Sequence, residues 1–211
     1  MPSLTSITPV ILAAGGSMRM GYPKALLPME SDCFLTWILK VVQNSELGKP
    51  IVVLGKNAQD IQPRIREWQI DTLINTEPER GQLSSIQMAL SSLPPESVAA
   101  MIWPVDQPLV PVSLVDNLAR KFLDSGALIA YPVYGERLGH PAVFHRNLFR
   151  EFMEAPLEEG PKEILLSHQA DTVVLPTDEP GTVYDFDTPS DYEDAFGKRL
   201  DSLVTVKQSS E

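Results

Sequence analysis

Apolar positions recur along the chain with two periods, and their alternation predicts the elements. Short unbroken apolar runs over residues 9–13, 50–54 and 99–105 read as buried strands, the second β-branched at Ile51, Val52 and Val53. Between them apolar residues fall three or four apart. Phe34, Leu35, Ile38, Val41 and Val42 predict a helix over 34–43. A second amphipathic stretch covers 58–68, with Pro63 inside it as a turn or kink, and a third covers 113–124, ended by Gly126. Residues 71–75 form a weaker strand. Beyond residue 126 the elements shorten. Strands over 127–134 and 140–145 read as a hairpin turned by 135–139, and Asn147 opens a short helix. A second short helix over 162–168 follows the prolines at 156 and 161. Strands over 172–176 and 182–187 come next. A last helix over 191–200 is capped by Ser190, with Glu193 completing a capping box. Strands and helices alternate through the first two thirds. That order predicts an α/β fold, a Rossmann-like three-layer α/β/α arrangement with a mainly parallel central sheet and antiparallel additions in the C-terminal third. One domain over 1–204 and a polar tail over 205–211 complete the expectation.

Composition narrows the function. A hydrophobic content of 43% supports a packed core, and a net charge of -11 argues against a broad nucleic-acid face, which would be basic. The single cysteine, Cys33, allows neither an intramolecular disulfide nor a Cys-rich zinc site, and its apolar surroundings predict burial. No apolar run approaches the ~18 residues of a membrane span. No basic segment precedes an apolar one at the N-terminus. The expected compartment is the cytoplasm, with no membrane and no nucleic-acid partner.

Against this acidic background residues 12–28, LAAGGSMRMGYPKALLP, stand out. Small residues from Ala13 to Ser17 follow the first strand directly. Without bulk, their backbone can turn and offer N–H groups to an anion. Arg19 and Lys24 then add two cations. Polar backbone and positive side chains at a strand's end suit a polyphosphate. The spacing matches neither GxxxxGK[ST] nor GxGxxG.

Three further places carry chemistry. Asp106 follows the 99–105 strand and precedes Gln107-Pro108. Mg²⁺ takes one or two carboxylates together with phosphate oxygens and water, so Asp106 is a candidate ligand. Asp185 and Asp187 would share one face of a strand over 182–187 and offer a second carboxylate, or serve as strand-end solvation. Gly81, Ser84 and Ser85 begin a helix, where a serine is either its cap or a hydrogen-bonding edge for a ligand. His140 in Gly139-His140-Pro141 is either a turn histidine or the wall of a pocket.

The 12–28 stretch closely resembles the LAAGxSxRMGxPKxLLP signature of nucleotidyltransferases of the molybdopterin cytidylyltransferase type. The segments 105–108, 139–141 and 185–189 are similar to that family's GDxP, GHP and DIDTP motifs, in the same order. The resemblance implies that Arg19 and Lys24 contact a triphosphate, with Leu12, Ala13, Ala14, Gly15, Gly16 and Ser17 adding backbone contacts. It implies that Gly81, Ser84 and Ser85 border the base, and that Gly139, His140 and Pro141 border the acceptor. It assigns Mg²⁺ to Asp106 with Asp185 or Asp187, and ranks Asp185 first. Arg19, Lys24 and Asp106 become the catalytic set. Val105 departs from the pattern, standing where the family has glycine. The implied reaction transfers CMP from CTP to the phosphate of molybdopterin, and the product's receiver would be a molybdoenzyme or its maturation chaperone. GTP, or a sugar or polyol phosphate acceptor, is the alternative within the same class. A non-catalytic nucleotide-binding or cofactor-delivery protein is the alternative outside it.

Overall fold

The computed structural model describes residues 2–157 and 161–200. In chain order it contains β1 (Ile7–Ala13), the two-residue strands β2 (Pro28–Met29) and β3 (Asp32–Cys33), α1 (Phe34–Gln43), β4 (Ile51–Leu54), α2 (Ala58–Ile65), β5 (Asp71–Ile74), α3 (Gln82–Ser91), β6 (Ala99–Pro104) and α4 (Val112–Ser125). There follow β7 (Ile129–Tyr134), β8 (Arg137–Leu138), β9 (Ala142–His145), α5 (Phe149–Glu154), α6 (Lys162–Ser167), β10 (Thr172–Pro176) and α7 (Pro189–Phe196).

The central sheet runs β10-β7-β9-β6-β1-β4-β5, with β8 folded back on β7. Strand β1 pairs in parallel with β4 on one side and β6 on the other, Ile11 lying opposite both Val52 and Trp103. β5 continues the parallel half, and β9 and β7 join antiparallel beyond β6. Completely buried strands explain the unbroken apolar runs. All seven residues of β1 and all four of β4 are buried, because helices cover both faces. One face packs Leu35, Ile38 and Leu39 of α1, Ile61 and Ile65 of α2, and Val115, Leu118 and Phe122 of α4 against the sheet. The other packs Leu83, Ile86 and Ala89 of α3 with Phe152 and Ile164 of the short helices. The three layers and the antiparallel C-terminal additions are those the pattern predicts. Cys33 is buried and reduced, and its thiol meets Thr36 at the start of α1. Among the described residues no helix is long and apolar enough to cross a membrane.

Chain order after β1 runs outward to β4 and β5, then returns across β1 to β6. The reversal leaves a crevice beyond the carboxyl ends of β1 and β6, the place where open α/β sheets bind ligands. The glycine-rich loop leaves β1 there and Asp106 leaves β6 there.

Several local expectations are corrected. Residues 182–187 are not a strand. A 3-10 turn over Pro180–Thr182 precedes an extended stretch without ladder partners. Its buried contacts, such as Phe186 against Phe34, are made by side chains instead. The cap of the last helix is Thr188 rather than Ser190. Thr188 and Asp191 form the capping box, Pro189 takes the first helical position, and the helix ends at Phe196 with Gly197 in the left-handed region. Asn147 does not cap α5; the His145 ring accepts a hydrogen bond from the Asn147 N–H and opens the turn before it. Helix α2 stops at Ile65 rather than 68. The tail expectation over 205–211, and the 201–204 end of the expected domain, lie outside the described residues.

Candidate active site

At the crevice a cleft of about 360 Å³ opens between the glycine-rich loop, the start of α3 and the end of β6. Its wall includes Leu12 to Arg19, Lys24, Gly81, Ser85, Asp106 and Asp187. The loop is held from within. Ser17, at φ 49, accepts a hydrogen bond from the Lys24 N–H on its Oγ at 3.0 Å and from the Gly21 N–H on its carbonyl at 3.0 Å. Gly55, after β4, lets the loop lie close, since a Cβ there would come within 2.3 Å of the Ala14 carbonyl oxygen. Gly15 differs: nothing in the protein lies within 4 Å of the position its Cβ would take, so the backbone faces open space. That space opens into the cleft, which Ala14, Gly15, Gly16 and Ser17 line together.

Four charges converge at the cleft's end. The Lys24 ammonium donates to Asp106 Oδ2 at 2.8 Å and to Asp187 Oδ1 at 2.6 Å. An Arg19 Nη lies 2.9 Å from Asp187 Oδ2. The Lys24, Asp106 and Asp187 side chains are 15%, 25% and 35% exposed, shielded enough for the charges to act on one another. Burial by itself would lower the Lys24 pKa, but Asp106 and Asp187 together raise it above the usual lysine value. The hydrogen bond from Lys24, reinforced by the charges of Lys24 and Arg19, outweighs partial burial and holds the Asp187 carboxyl below the usual range.

Each carboxylate is placed by a different element. Asp106 sits just past β6, where the Val105 N–H donates to the Leu12 carbonyl and the Asp106 carbonyl accepts from the Phe186 N–H. Val105 is buried, and its backbone is not in the positive-φ region that would have called for glycine. Asp187 is fixed by the α7 cap, because Asp191 Oδ2 accepts from the backbone N–H groups of Asp187 and Thr188 at 2.9 and 2.7 Å. Asp185 turns elsewhere and accepts a hydrogen bond from the Gln107 side-chain amide. Outside a strand, the same-face argument for Asp185 and Asp187 lapses. Among the described residues no three His, Cys, Asp or Glu side chains converge as a metal-holding set. The pair that shares one cation is Asp106 with Asp187.

At the start of α3 the cap is Gly81, at φ 91, rather than Ser84 or Ser85. Ser85 lines the cleft with Gly81, while Ser84 donates to the Gly81 carbonyl at 2.8 Å. Sequence reasoning passed over Asn75, which is buried and donates to both serine hydroxyls at 2.9 Å. Its position at the end of β5, facing two hydroxyls, is visible only in three dimensions. Asn57 and Gln82 also border the cleft and were not singled out; polar residues beside the glycine and serine motifs were the available signal. Gly139, His140 and Pro141 lie outside the cleft wall, next to Asp185. The His140 N–H donates to the Thr182 carbonyl at 2.8 Å, and ring Nδ1 is buried without a hydrogen-bond partner. Burial lowers the His140 pKa, with Asp185 and Asp106 opposing.

A larger cavity of about 640 Å³ lies at the opposite end of the sheet, beside Leu47, Trp68 and Ile70. Its lining includes Lys49 and Glu67 but, among the described residues, no lysine held between two carboxylates.

A family model for the MobA-like NTP transferase domain matches residues 9–173. The molybdenum cofactor cytidylyltransferase of Escherichia coli is 24% identical over 190 residues, covering 90% of this chain and 95% of the relative. The probable molybdenum cofactor guanylyltransferase of Mycobacterium marinum is 27% identical over 171 residues, covering 79% and 82%. The bifunctional protein GlmU of Prochlorococcus marinus is 25% identical over 138 residues; the match takes in 64% of this chain but spans only 30% of that relative's length. Among solved structures, a homologue of Mycobacterium tuberculosis Rv0371c from Mycobacterium sp. strain JC1 superposes with a TM-score of 0.78 at 27% identity, covering 96% of this chain and 98% of that one. Rv0371C from M. tuberculosis in complex with manganese gives 0.74 at 25% identity, covering 91% and 98%.

Proposed function

The chain belongs to the MobA-like NTP transferase domain family, and from that premise we propose that it transfers CMP from CTP to the phosphate of a molybdopterin acceptor and releases pyrophosphate. The observation that carries this reading is the meeting of Lys24, Arg19, Asp106 and Asp187 at the end of an open backbone cradle. Arg19 and Lys24 come from the loop after β1, while Asp106 and Asp187 come from two distant segments, and all four line the same cleft as Gly15.

In the proposed reaction an oxygen of the acceptor phosphate forms a bond to the α-phosphorus. The bond between the α-phosphorus and its bridging oxygen breaks, and pyrophosphate departs with the electron pair. The acceptor phosphate is already a nucleophile, so no general base is required. Positioning and charge neutralisation supply the rate. The 14–17 backbone and the Lys24 and Arg19 cations would hold the triphosphate, with the base toward Gly81 and Ser85. The two hard carboxylates, Asp106 and Asp187, fit a divalent cation of the Mg²⁺ or Mn²⁺ kind that also takes phosphate oxygens and water. When bound, the ion neutralises phosphate charge. The acceptor would approach from the side of His140 and Asp185. CTP is preferred because Ala14 stands where a glycine in the corresponding loop would leave more room beside the base. GTP is the second reading, supported by the guanylyltransferase relative of similar identity.

Pyrophosphate release with Mg²⁺, molybdopterin and each of the four nucleoside triphosphates tests the proposal. CTP should exceed the others. GTP in first place selects the second reading. Nucleotide binding without release from any of the four, with molybdopterin or with sugar and polyol phosphates, rejects transfer and leaves a binding or delivery protein.

A further inference from the structure

The cations at the cleft are already committed. Lys24 spends its ammonium on Asp106 and Asp187, at 2.8 and 2.6 Å, and Arg19 spends a guanidinium nitrogen on the second oxygen of Asp187 at 2.9 Å. Two positive and two negative charges balance at the cleft, Lys24 half-enclosed between the carboxylates and Arg19 reaching Asp187 from an exposed position. The same lysine and arginine are the groups assigned to phosphate, and the same carboxylates are assigned to the divalent ion. All four cannot serve both arrangements at once.

The place between Asp106 and Asp187 is where their interests collide. Each carboxylate directs an oxygen at the single ammonium between them, one from beyond β6 and one from the cap of α7. Facing carboxylates repel unless positive charge separates them. An ammonium and a divalent cation in that gap would repel each other. Whichever enters must displace the other.

We propose that Lys24 Nζ is the resident occupant of the divalent-cation position, and that the site therefore takes the cation only as a chelate with a polyphosphate. As the chelate enters, Lys24 passes from the carboxylates to phosphate oxygens and the cation takes its place. Charge balance drives the exchange. A divalent ion alone would expel Lys24 from two anionic partners and offer it none in return. A polyphosphate alone would set further negative charge beside two carboxylates. The chelate brings a partner for every group. The mechanics are also available. The Lys24 backbone N–H stays anchored to Ser17 Oγ at 3.0 Å, while the four-carbon stem turns without moving the loop. The open space above Gly15 receives the phosphates.

This inference rests on reading the cleft as the nucleotidyl-transfer site, and its test is chosen to fail separately from that reading. Inorganic pyrophosphate serves as the probe, because it carries neither base nor acceptor. Calorimetry would titrate Mn²⁺ alone, and then preformed Mn²⁺–pyrophosphate, into wild-type protein and into Lys24→Gln, with a thermal melt confirming that the variant folds. Wild type should bind the chelate about tenfold or more tightly than Mn²⁺ alone, and Lys24→Gln should bind Mn²⁺ alone about tenfold more tightly than wild type does. Equal affinity of wild type for Mn²⁺ alone and for the chelate overturns the exchange, and so does a folded Lys24→Gln whose affinity for Mn²⁺ alone is unchanged. If the variant does not fold, the wild-type pair of titrations decides. Chelate-selective binding with no pyrophosphate release from any nucleotide would leave the exchange standing and remove the transfer reaction.

Discussion

Two glycine-containing regions flank the candidate site, and they use glycine in opposite ways. In the loop after β1, Gly15 has no protein atom near its missing side chain, and the space it leaves belongs to the cleft. In the wall behind Asp106, a Cβ on Gly139 would come within 2.6 Å of the Thr182 carbonyl oxygen, and one on Gly181 within 1.9 Å of the Leu109 carbonyl oxygen. The first region is open and lined by charge. The second is closed at Gly139 and Gly181, packed backbone against backbone, beside His140 and the exposed Asp185. The same residue type therefore makes room for a ligand on one side and welds the fold on the other, and only the surroundings tell which.

The largest effect should come from the charges in the open region. Lys24→Ala and Asp106→Asn should each lower turnover by about 10²–10³ while the protein still folds; steady-state pyrophosphate release measures it. Next comes the closed region. Gly181→Ala should destabilise by about 3 kcal/mol, a fall in Tm of about 6–12 °C. Gly15→Ala should instead leave stability within about 0.5 kcal/mol and reduce turnover by about a hundredfold. A Gly15→Ala protein that melts early, or a Gly181→Ala protein that does not, would break the comparison. The two aspartates of the 185–187 segment sharpen it further. Asp187→Asn should approach the loss seen for Asp106→Asn. Asp185→Asn, which acts through Gln107, should cost less than about tenfold.

The smallest effect concerns pH. Burial depresses the His140 pKa below 6.5. Between that depressed value and the unfolded value near 6.5 the unfolded chain binds the extra proton, so stability falls as pH drops through this window. Denaturant melts of wild type from neutral toward mildly acidic pH should show the loss, and His140→Gln should lessen it. His145, also depressed by burial and by Arg146, adds to the loss in both proteins.

The parts legible in the sequence are those governed by local or periodic rules. Helix α1 spans Phe34–Gln43 and β10 spans Thr172–Pro176, both at the residues their patterns indicate. The positions of the glycine-rich loop and of Asp106 follow from their place after apolar runs. What the sequence hid depends on contacts between distant segments. Residues 182–187 alternate like a strand, yet they have no ladder partner, and Asp185 and Asp187 separate toward Gln107 and Lys24. The Thr188 cap was readable from Pro189, since proline favours the first helical position, but the later Ser190 and Glu193 offered a competing box. Asn75 looked like an ordinary strand end because its serine partners lie in the next helix.

The most direct measurement of the central claim is a crystal structure with CTP and Mg²⁺. The account predicts the triphosphate against the backbone of residues 14–17, the base beside Gly81 and Ser85, the cation between Asp106 and Asp187, and Lys24 turned from those carboxylates to phosphate. A nucleotide seated elsewhere, such as in the cavity beside Trp68, or bound in the cleft with Lys24 still between Asp106 and Asp187, would contradict it.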